Sequence, residues 1–497
     1  MRRVLLIAAA LAAPCLAADA RQSIEVTFVA TPSAGLTSGD LKLTVDGKDQ
    51  PIAGVEKIAA GKTASNLPPR TFSNHTGAEK TQDASVILVD GVNTDWRNDA
   101  SARDELTRAL GRIGPEERAA ILILGKNLKL LSDFSDSSAD RAAKVAALAY
   151  SDLIRPINLT SRAEMYQEQQ RLTDTYSNLR AIAGMLKAVP GRKNLLWISA
   201  DFPLLLGRPD EGNLHPSDAD SDVQRTAKLG YNKDADDLIR TLNLAGVAVY
   251  PVDARRVSLD PLRRQSRVNS ITTSGAGEAG TIDDIMKHLA DQTGGAAFSG
   301  GKELGDSLRG ALDDSQNAYV LTFTPAKWVE DGSPHKLKLQ AKTKGTQIRI
   351  RPNYYAPSPA MAPGDPSPRL AMALSAPLDL PEIGLTVHLN PDPADAASLS
   401  VSLEIDSRTL QLTRQGENWI AVVGLGIVQG NAAGEQFGRQ MQSGGITIPG
   451  ADYAKAMRDG SGIHFDFKLK RDPKASFLRF GVIDQKTPKS GSLSVSL

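Results

Sequence analysis

This chain has one cysteine and almost no net charge, and each of these features excludes certain kinds of protein. The only cysteine, Cys15, lies within the apolar run from Val4 to Leu16, which follows two arginines and precedes the small residues of LAADA. This pattern is typical of a secretory signal peptide, so we assign one to residues 1–20, cleaved near Ala18 or Ala20. The mature chain then has no thiol, which excludes disulfides and a cysteine nucleophile.

The charge balance is nearly even, because 58 lysines and arginines face 57 aspartates and glutamates for a net charge of +1. No overall positive field attracts nucleic acid or an anionic membrane, and we predict that nucleic acid is not a partner. Beyond the signal peptide we predict no transmembrane segment. We therefore expect an exported protein, periplasmic or secreted. A lipid anchor on Cys15 is the alternative, which Pro14 disfavours because such sites have a small residue at that position.

Residue sets that would support catalysis are also missing. The six histidines are scattered, without the spacing of a metal-binding pair. Ser199 lacks the G-x-S-x-G elbow of a serine hydrolase. The glycine string from Val422 to Gly434 lies in a β-rich segment with no helix after it, which excludes a dinucleotide loop. We predict that the protein is not an enzyme, and carboxylates converging from different domains are the open alternative.

The middle of the chain, residues 80–316, has the pattern of an α/β domain. Between its apolar runs, apolar residues recur at spacings of three and four, as on one face of a helix. The runs themselves are continuous, which is typical of strands covered on both faces. They are Val86 to Val89, Ala119 to Leu124, Leu195 to Ile198 and Val247 to Tyr250. The alternation predicts a doubly wound, Rossmann-like domain with a mainly parallel sheet.

Alternating apolar and polar residues flank this domain on both sides. We assign residues 21–79 and 317–356 to strands that pair with each other, because two or three isolated strands bury too little apolar area to be stable. A proline-rich linker, residues 357–370, follows. Residues 371–497 have the pattern of a C-terminal β-sandwich. The predicted fold class is thus an α/β doubly wound domain plus all-β sandwich domains.

Polar side chains follow the predicted strands of the α/β domain. Asp90, Asn93 and Thr94 follow the first strand and Asp201 follows the third, while Thr173 precedes a predicted helix. Ligands of open α/β sheets bind at the carboxyl ends of the strands, so these side chains are candidates for a site. Their oxygens suit Mg²⁺ or Ca²⁺ rather than zinc. Alternatively, Asp90 and Thr94 only cap the turn after the strand.

Several stretches resemble the von Willebrand factor A domain, and more closely the A-domain-related proteins of acidobacteria. These stretches are PRTFSN at 69–74, ILVDGVNT at 87–94, LRAIAGML at 179–186, PGRKNLLWIS at 190–199, VAVYPVDAR at 247–255 and TGG at 293–295. The resemblance covers roughly residues 21–356. It implies an A-type fold for the central domain.

The resemblance also implies a metal-ion-dependent adhesion site. In that family an Asp-x-Ser-x-Ser loop, a threonine and a second aspartate hold one divalent cation. The corresponding candidates here are Asp90, Thr94, Thr173 (rather than Thr175) and Asp201. Val92 replaces the middle serine, and the neighbouring Asn93 offers an amide oxygen one position away.

Two functions follow from these observations. The first is an exported adhesion or protein-binding module that recognises a protein or cell-surface ligand, through Mg²⁺ or Ca²⁺ in a degenerate adhesion site. The second is a non-enzymatic scaffold of the cell envelope whose A-type domain has lost its metal.

Overall fold

The computed structural model describes residues 23–32, 35–58, 67–74, 83–94, 96, 100–114, 117–125, 128–134, 136–148, 161–187, 189, 191–202, 222–255, 282–299, 303–357, 364–431, 435–461 and 463–497. The predicted signal peptide, with Cys15, lies outside these residues. Within them, every helix is too short or too polar to cross a membrane.

The described residues form the following strands and α-helices. The strands are β1 (Ile24–Thr31), β2 (Leu41–Val45), β3 (Lys48–Gln50), β4 (Ile52–Lys57), β5 (Thr71–Ser73), β6 (Asp83–Asp90), β7 (Ala119–Leu124), β8 (Leu128–Ser132), β9 (Arg192–Ser199), β10 (Val247–Asp253), β11 (Ala318–Phe323), β12 (Pro334–Ala341), β13 (Gln347–Ile350), β14 (Asn353–Tyr355), β15 (Leu385–Asp392), β16 (Asp395–Ile405), β17 (Thr413–Gln415), β18 (Asn418–Gly430), β19 (Gln436–Pro449), β20 (His464–Lys470), β21 (Phe477–Asp484) and β22 (Ser490–Ser496). The α-helices are α1 (Ala100–Gly111), α2 (Ser138–Ala146), α3 (Ser161–Lys187), α4 (Asp222–Leu244), α5 (Ile282–Thr293), α6 (Leu304–Ser315), α7 (Pro366–Ser375) and α8 (Gly450–Asp459).

A five-stranded sheet forms the centre of the α/β domain, in the order β10–β9–β6–β7–β8. Neighbouring strands are parallel except for β7 and β8, which form an antiparallel hairpin at one edge. All four predicted apolar runs lie in these strands. Every residue of β6, β7 and β9 is buried, as expected for strands covered on both faces.

Helices cover both faces of this sheet. On one face, Val86 and Leu88 of β6 pack with α3, α4 and α5. On the other face, Ile87 and Val89 pack with α1, α2 and α6. Successive residues of a strand point to opposite faces, so each strand contributes to two cores. The predicted fold class is confirmed in its coarser form, a mixed α/β sheet with helices plus β-rich parts.

The strands on either side of the α/β domain form one β-sandwich. β1 pairs antiparallel with β11 and β13, which places Ile24 opposite Phe323 and Phe28 opposite Ile350. The second sheet has the order β14–β12–β2–β3. Phe28, Leu43 and Phe323 lie in the core between the sheets. The pairing predicted for the segments before and after the α/β domain is therefore present.

Strand β5 departs from the prediction that residues 21–79 all join this first sandwich. It pairs with β15 of the C-terminal part, with Phe72 opposite Val387. Phe72 packs into the core there, and Asn74, the residue after the strand, is buried. A three-residue strand carries too little pattern to identify its partner from sequence. The pairing depends on contacts more than 300 residues away in the chain.

Two sheets, β20–β16–β15–β5 and β17–β18–β21–β22, form the C-terminal sandwich, and β19 pairs with β18. The linker predicted at residues 357–370 is partly wrong, because α7 begins inside it at Pro366, after a cap by Asp365. Leu374 of α7 packs on Gly426 of β18, where a Cβ would lie 2.7 Å from the Leu374 Cδ1. The part of the glycine string up to Gly430 thus lies in a strand, as its β-rich surroundings indicated, and Gly426 leaves room for the helix that packs on it.

Candidate functional site

The candidate site lies at the carboxyl edge of the central sheet. β6 ends at Asp90 and β9 ends at Ser199, and the two strands are parallel neighbours. Their ends therefore bring the loop after Asp90 and the loop that contains Asp201 to the same edge. Contacts described below connect four of the predicted residues, namely Asp90, Asn93, Thr94 and Asp201.

The Asp90 carboxylate is fully buried and is surrounded by hydrogen-bond donors. Its Oδ1 accepts from the backbone N–H groups of Val92 at 2.9 Å and Asn93 at 2.8 Å. Its Oδ2 accepts from the Asn93 Nδ2 at 2.8 Å and the Trp197 Nε1 at 2.9 Å, and it lies 2.9 Å from the Ser199 Oγ. Both oxygens are therefore occupied by contacts within the domain.

Asp90 caps its own loop. Backbone N–H groups two and three residues ahead bond to one carboxylate oxygen, which is the local turn that aspartate commonly makes. Burial raises the pKa of this carboxyl, while the hydrogen bonds from Asn93, Trp197 and Ser199 act in the opposite direction. These contacts support the second interpretation of Asp90, that of a cap at the end of a strand.

Thr94 joins the two loops. Its Oγ1 accepts from the backbone N–H of Ala200 at 2.8 Å and lies 3.5 Å from the Ser199 Oγ. The Ser199 hydroxyl is also 2.6 Å from the carbonyl oxygen of Asp201. The loop after β6 and the loop after β9 are thus fixed to each other by buried hydroxyl groups.

Arg171 of helix α3 completes the site, although it is not among the residues predicted from the sequence. Its Nη1 donates to the Asn93 Oδ1 at 3.1 Å and to the Asp201 Oδ2 at 2.8 Å. The Arg171 and Asp201 side chains are only 14% and 13% exposed, so water screens this ion pair little. One guanidinium nitrogen therefore bridges oxygens from both loops.

Thr175, not Thr173, is the threonine at this site. The Thr175 hydroxyl is buried, donates to the Arg171 carbonyl oxygen at 2.8 Å and accepts from the Asn93 Nδ2 at 3.1 Å. Thr173 is exposed. Both threonines lie inside α3, where residues two apart point to nearly opposite sides. The choice of Thr173 is therefore corrected, because the helix begins before these residues rather than after them.

The arrangement does not fit a divalent cation. Mg²⁺ and Ca²⁺ need several oxygens with available lone pairs, whereas Asp90 is surrounded by donors and Asp201 is paired with Arg171. Val92 supplies no oxygen; it is half-buried and packs on the core made with α3, α4 and α5. Among the described residues, no three His, Cys, Asp or Glu side chains are grouped so that they could hold a metal.

No family model matches this chain, and no curated protein matches it. Solved structures similar to it include an aerotolerance-related membrane protein from Bacteroides fragilis, with 10% identity and a TM-score of 0.26 over 47% of this chain and 98% of that one. They also include a von Willebrand factor type A protein from Catenulispora acidiphila, with 10% identity and a TM-score of 0.25 over 65% of this chain and 75% of that one.

A pilus adhesin from Lactobacillus rhamnosus is similar at 11% identity and a TM-score of 0.24, over 88% of this chain and 58% of that one. Similarities of this degree do not establish a shared function. The resemblance to acidobacterial proteins has no counterpart among these structures.

Proposed function

We propose that this protein is an exported binding module whose α/β domain recognises another protein or a cell-surface component. The observation that carries the proposal is the fixed edge of the central sheet. Hydrogen bonds of Asn93, Thr94 and Arg171 join the loop after β6, the loop after β9 and helix α3. Loops that are already ordered lose less conformational entropy on binding, and strand ends are where α/β folds bind ligands.

Catalysis is not part of the proposal. A general acid or base must come within hydrogen-bonding distance of the substrate. The Asp90 carboxylate is fully buried, and the Asp201 carboxylate is paired with Arg171. The carboxylates of this edge therefore serve the loops themselves. An activity that survives purification and disappears in Asp90→Ala or Asp201→Ala would favour a hydrolase instead.

A cell-envelope scaffold is the second candidate. It is favoured by the way the parts of the chain are joined, since β5 lies in a sheet of the C-terminal sandwich and Leu378 lies in a core of the α/β domain. A scaffold would require this joined body, but not an accessible sheet edge.

A pull-down from envelope extract tests the proposal with the full mature chain as bait. Ala200 is half-buried in the loop after β9, so Ala200→Arg adds a bulky cation at the edge of the sheet. Met372, which is 63% exposed on α7, provides the matched control Met372→Arg. We expect the wild type and Met372→Arg to retain a partner that Ala200→Arg loses, with all three folded by circular dichroism. A partner retained by all three would favour the scaffold.

A further inference from the structure

The position of Arg171 resembles that of a bound cation. A cation at a site built from strand-end loops holds oxygens of separate loops around one positive charge. Here the Arg171 Nη1 contacts the amide oxygen of Asn93 at 3.1 Å and the carboxylate of Asp201 at 2.8 Å. These two residues come from the loops after β6 and β9. The Arg171 guanidinium therefore connects the same two loops that a metal ion at this edge would connect.

The charge of Arg171 also disfavours the binding of a metal ion at this site. A divalent cation bound to Asn93 and Asp201 would lie beside the Arg171 guanidinium, and like charges at such a distance repel strongly when they are shielded from water. The Arg171 and Asp201 side chains are only 14% and 13% exposed. The guanidinium keeps its charge at all physiological pH values, so the repulsion is permanent.

The hydrogen bonds of Asp90 exclude it from the ligands of an ion, so an ion at this edge would have to bind through the oxygens of Asn93 and Asp201 that Arg171 now contacts. A metal ligand must direct a lone pair at the ion, at about 2.1 Å for Mg²⁺. The Asp90 oxygens accept instead from Val92, Asn93 and Trp197, whose N–H groups would have to be displaced. Because the Asn93 and Trp197 bonds are buried, losing them would leave unsatisfied donors inside the domain.

We infer that the Arg171 guanidinium takes the place of a divalent cation, so that this edge is assembled and binds its partner without metal. The claim that a partner binds without metal rests on the proposed binding function. The claim that the edge is assembled without metal concerns this protein alone. If it is correct, chelators leave both the stability of the domain and the capture of a partner unchanged.

The test begins with purified full-length mature protein, treated with EDTA and then dialysed. Mg²⁺, Ca²⁺ and Mn²⁺ are titrated separately to millimolar concentration, by calorimetry and by thermal unfolding. We expect no saturable heat and no rise in the melting temperature of the wild type. A saturable heat at a one-to-one ratio would overturn the inference, and this measurement needs no variant.

Arg171→Met tests the substitution directly, since methionine keeps an unbranched apolar stem without the charge. The variant leaves Asn93 and Asp201 without their shared cation, so we expect a lower melting temperature that millimolar Ca²⁺ or Mg²⁺ partly restores. Arg180→Met is the matched control on the same helix, where the side chain is 36% exposed and lies 3.6 Å from Asp234. We expect the melting temperature of Arg180→Met to fall less, and we expect metal not to restore it.

Two results would contradict the inference. If Arg171→Met is no less stable than Arg180→Met, the guanidinium does not hold the loops together. If it is less stable but metal restores nothing, the contact is an ordinary ion pair and not a replacement for a cation. The pull-down repeated in EDTA separates the two proposals. Loss of capture in EDTA would overturn metal-free binding while supporting a binding function. Absence of any partner in either condition would overturn the binding function, and the metal titration of the purified protein then decides whether the edge is assembled without metal.

Discussion

Thr175 offers a test of the site at the scale of one residue. Its hydroxyl bonds to the Arg171 carbonyl and to the Asn93 amide, and it is buried. Valine has nearly the same shape, so Thr175→Val removes these bonds with little change in packing or helix propensity. We expect the free energy of unfolding to fall by about 1–3 kcal/mol, because the buried Asn93 amide loses an acceptor.

Thr173→Val is the matched comparison, two positions away on the same helix. Its side chain is exposed, so we expect a change within about 0.5 kcal/mol. Urea denaturation of both variants measures the difference. If both variants lose the same free energy of unfolding, the hydrogen bonds of Thr175 to Arg171 and Asn93 do not stabilise the domain.

Individual site residues differ in how far the sequence could predict them. Asp90, Asn93, Thr94 and Asp201 follow from strand ends, because a parallel sheet brings such ends to one edge. Arg171 does not follow, since its role depends on which face of α3 meets the sheet. A signal was present: Leu172, Tyr176 and Leu179 continue the apolar spacing of the predicted helix backwards, and all are buried. That spacing would have placed Thr175 and Thr173 on different faces.

At the scale of elements, the long apolar strands were predictable and the short ones were not. Each of the four parallel strands contains a continuous apolar run, and the burial of that run decides its structure. These strands are β6, β7, β9 and β10. The edge strand β8 and the three-residue strand β5 are stabilised mainly by their neighbours. Their pairing depends on the assembled fold, which a local pattern does not contain.

Asn74 is the residue that anchors β5, and its replacement tests that element. The Nδ2 donates to carbonyl oxygens and the Oδ1 accepts from a backbone N–H at 2.6 Å, all within the C-terminal part. The partners are Leu380, Ile383 and Ser492 as acceptors and Leu385 as the donor. We expect Asn74→Ala to lower the free energy of unfolding by about 3 kcal/mol, since these backbone groups are left without the side chain that satisfies them.

Thr71→Val is the control at the other end of the same strand. Its hydroxyl makes a half-buried hydrogen bond with the His388 Nδ1 at 2.9 Å, so we expect a loss of about 1 kcal/mol. Hydrogen exchange gives the local measurement. The amide of Leu385 should exchange faster in Asn74→Ala and remain protected in Thr71→Val. Protection in both would mean that β5 is held by Phe72 alone.

At the scale of the whole molecule, contacts between distant segments join the parts. The Arg192 Nη1 of β9 donates to the Thr27 Oγ1 of β1 at 3.2 Å, which connects the α/β domain to the first sandwich. Leu378 precedes the C-terminal sandwich yet packs in a core of the α/β domain. The order of the domains could be predicted from the changes in hydrophobic period. Their contacts could not, because a single arginine or leucine at a junction has no period.

The junction at Leu378 also contains a buried charge. The Arg479 side chain of β21 is 5% exposed, donates to the Leu378 carbonyl at 2.7 Å and lies 3.4 Å from Asp379. Burial raises the pKa of Asp379 to about 7; Arg479 opposes the rise, and Asp133 of the α/β domain adds to it. Burial raises the pKa of Asp133 as well. The contact between the two parts is therefore expected to respond to pH.

Replacement of Asp379 by asparagine should weaken that response. The folded protein holds the Asp379 proton up to a pKa of about 7, whereas the ordinary pKa of the carboxyl is 3.8. The contribution of Asp379 to the free energy of unfolding therefore falls as pH rises from about 4 to about 7 and is flat above, with a slope of at most about 1.4 kcal/mol per pH unit. Exposure of 20% of the Asp379 side chain reduces the pKa shift and therefore the total change in stability.

Asparagine cannot titrate, so Asp379→Asn should lose this contribution while its Oδ1 still accepts from the Ser494 N–H, which is 2.9 Å away in the wild type. An amide also differs from a carboxyl as the neighbour of buried Arg479, so the slope and not the absolute stability is the quantity to compare. Urea denaturation of both proteins between about pH 4 and pH 8 measures it, as the difference in unfolding free energy plotted against pH. Carboxyls that do not interact with Asp379 contribute equally to both proteins and cancel in that difference, whereas Asp133 interacts with Asp379, so the slope reports the two carboxyls together. A difference that stays constant across the range would mean that Asp379 titrates as it does in the unfolded chain, and that the junction is held by Arg479 and Leu378 without regard to pH.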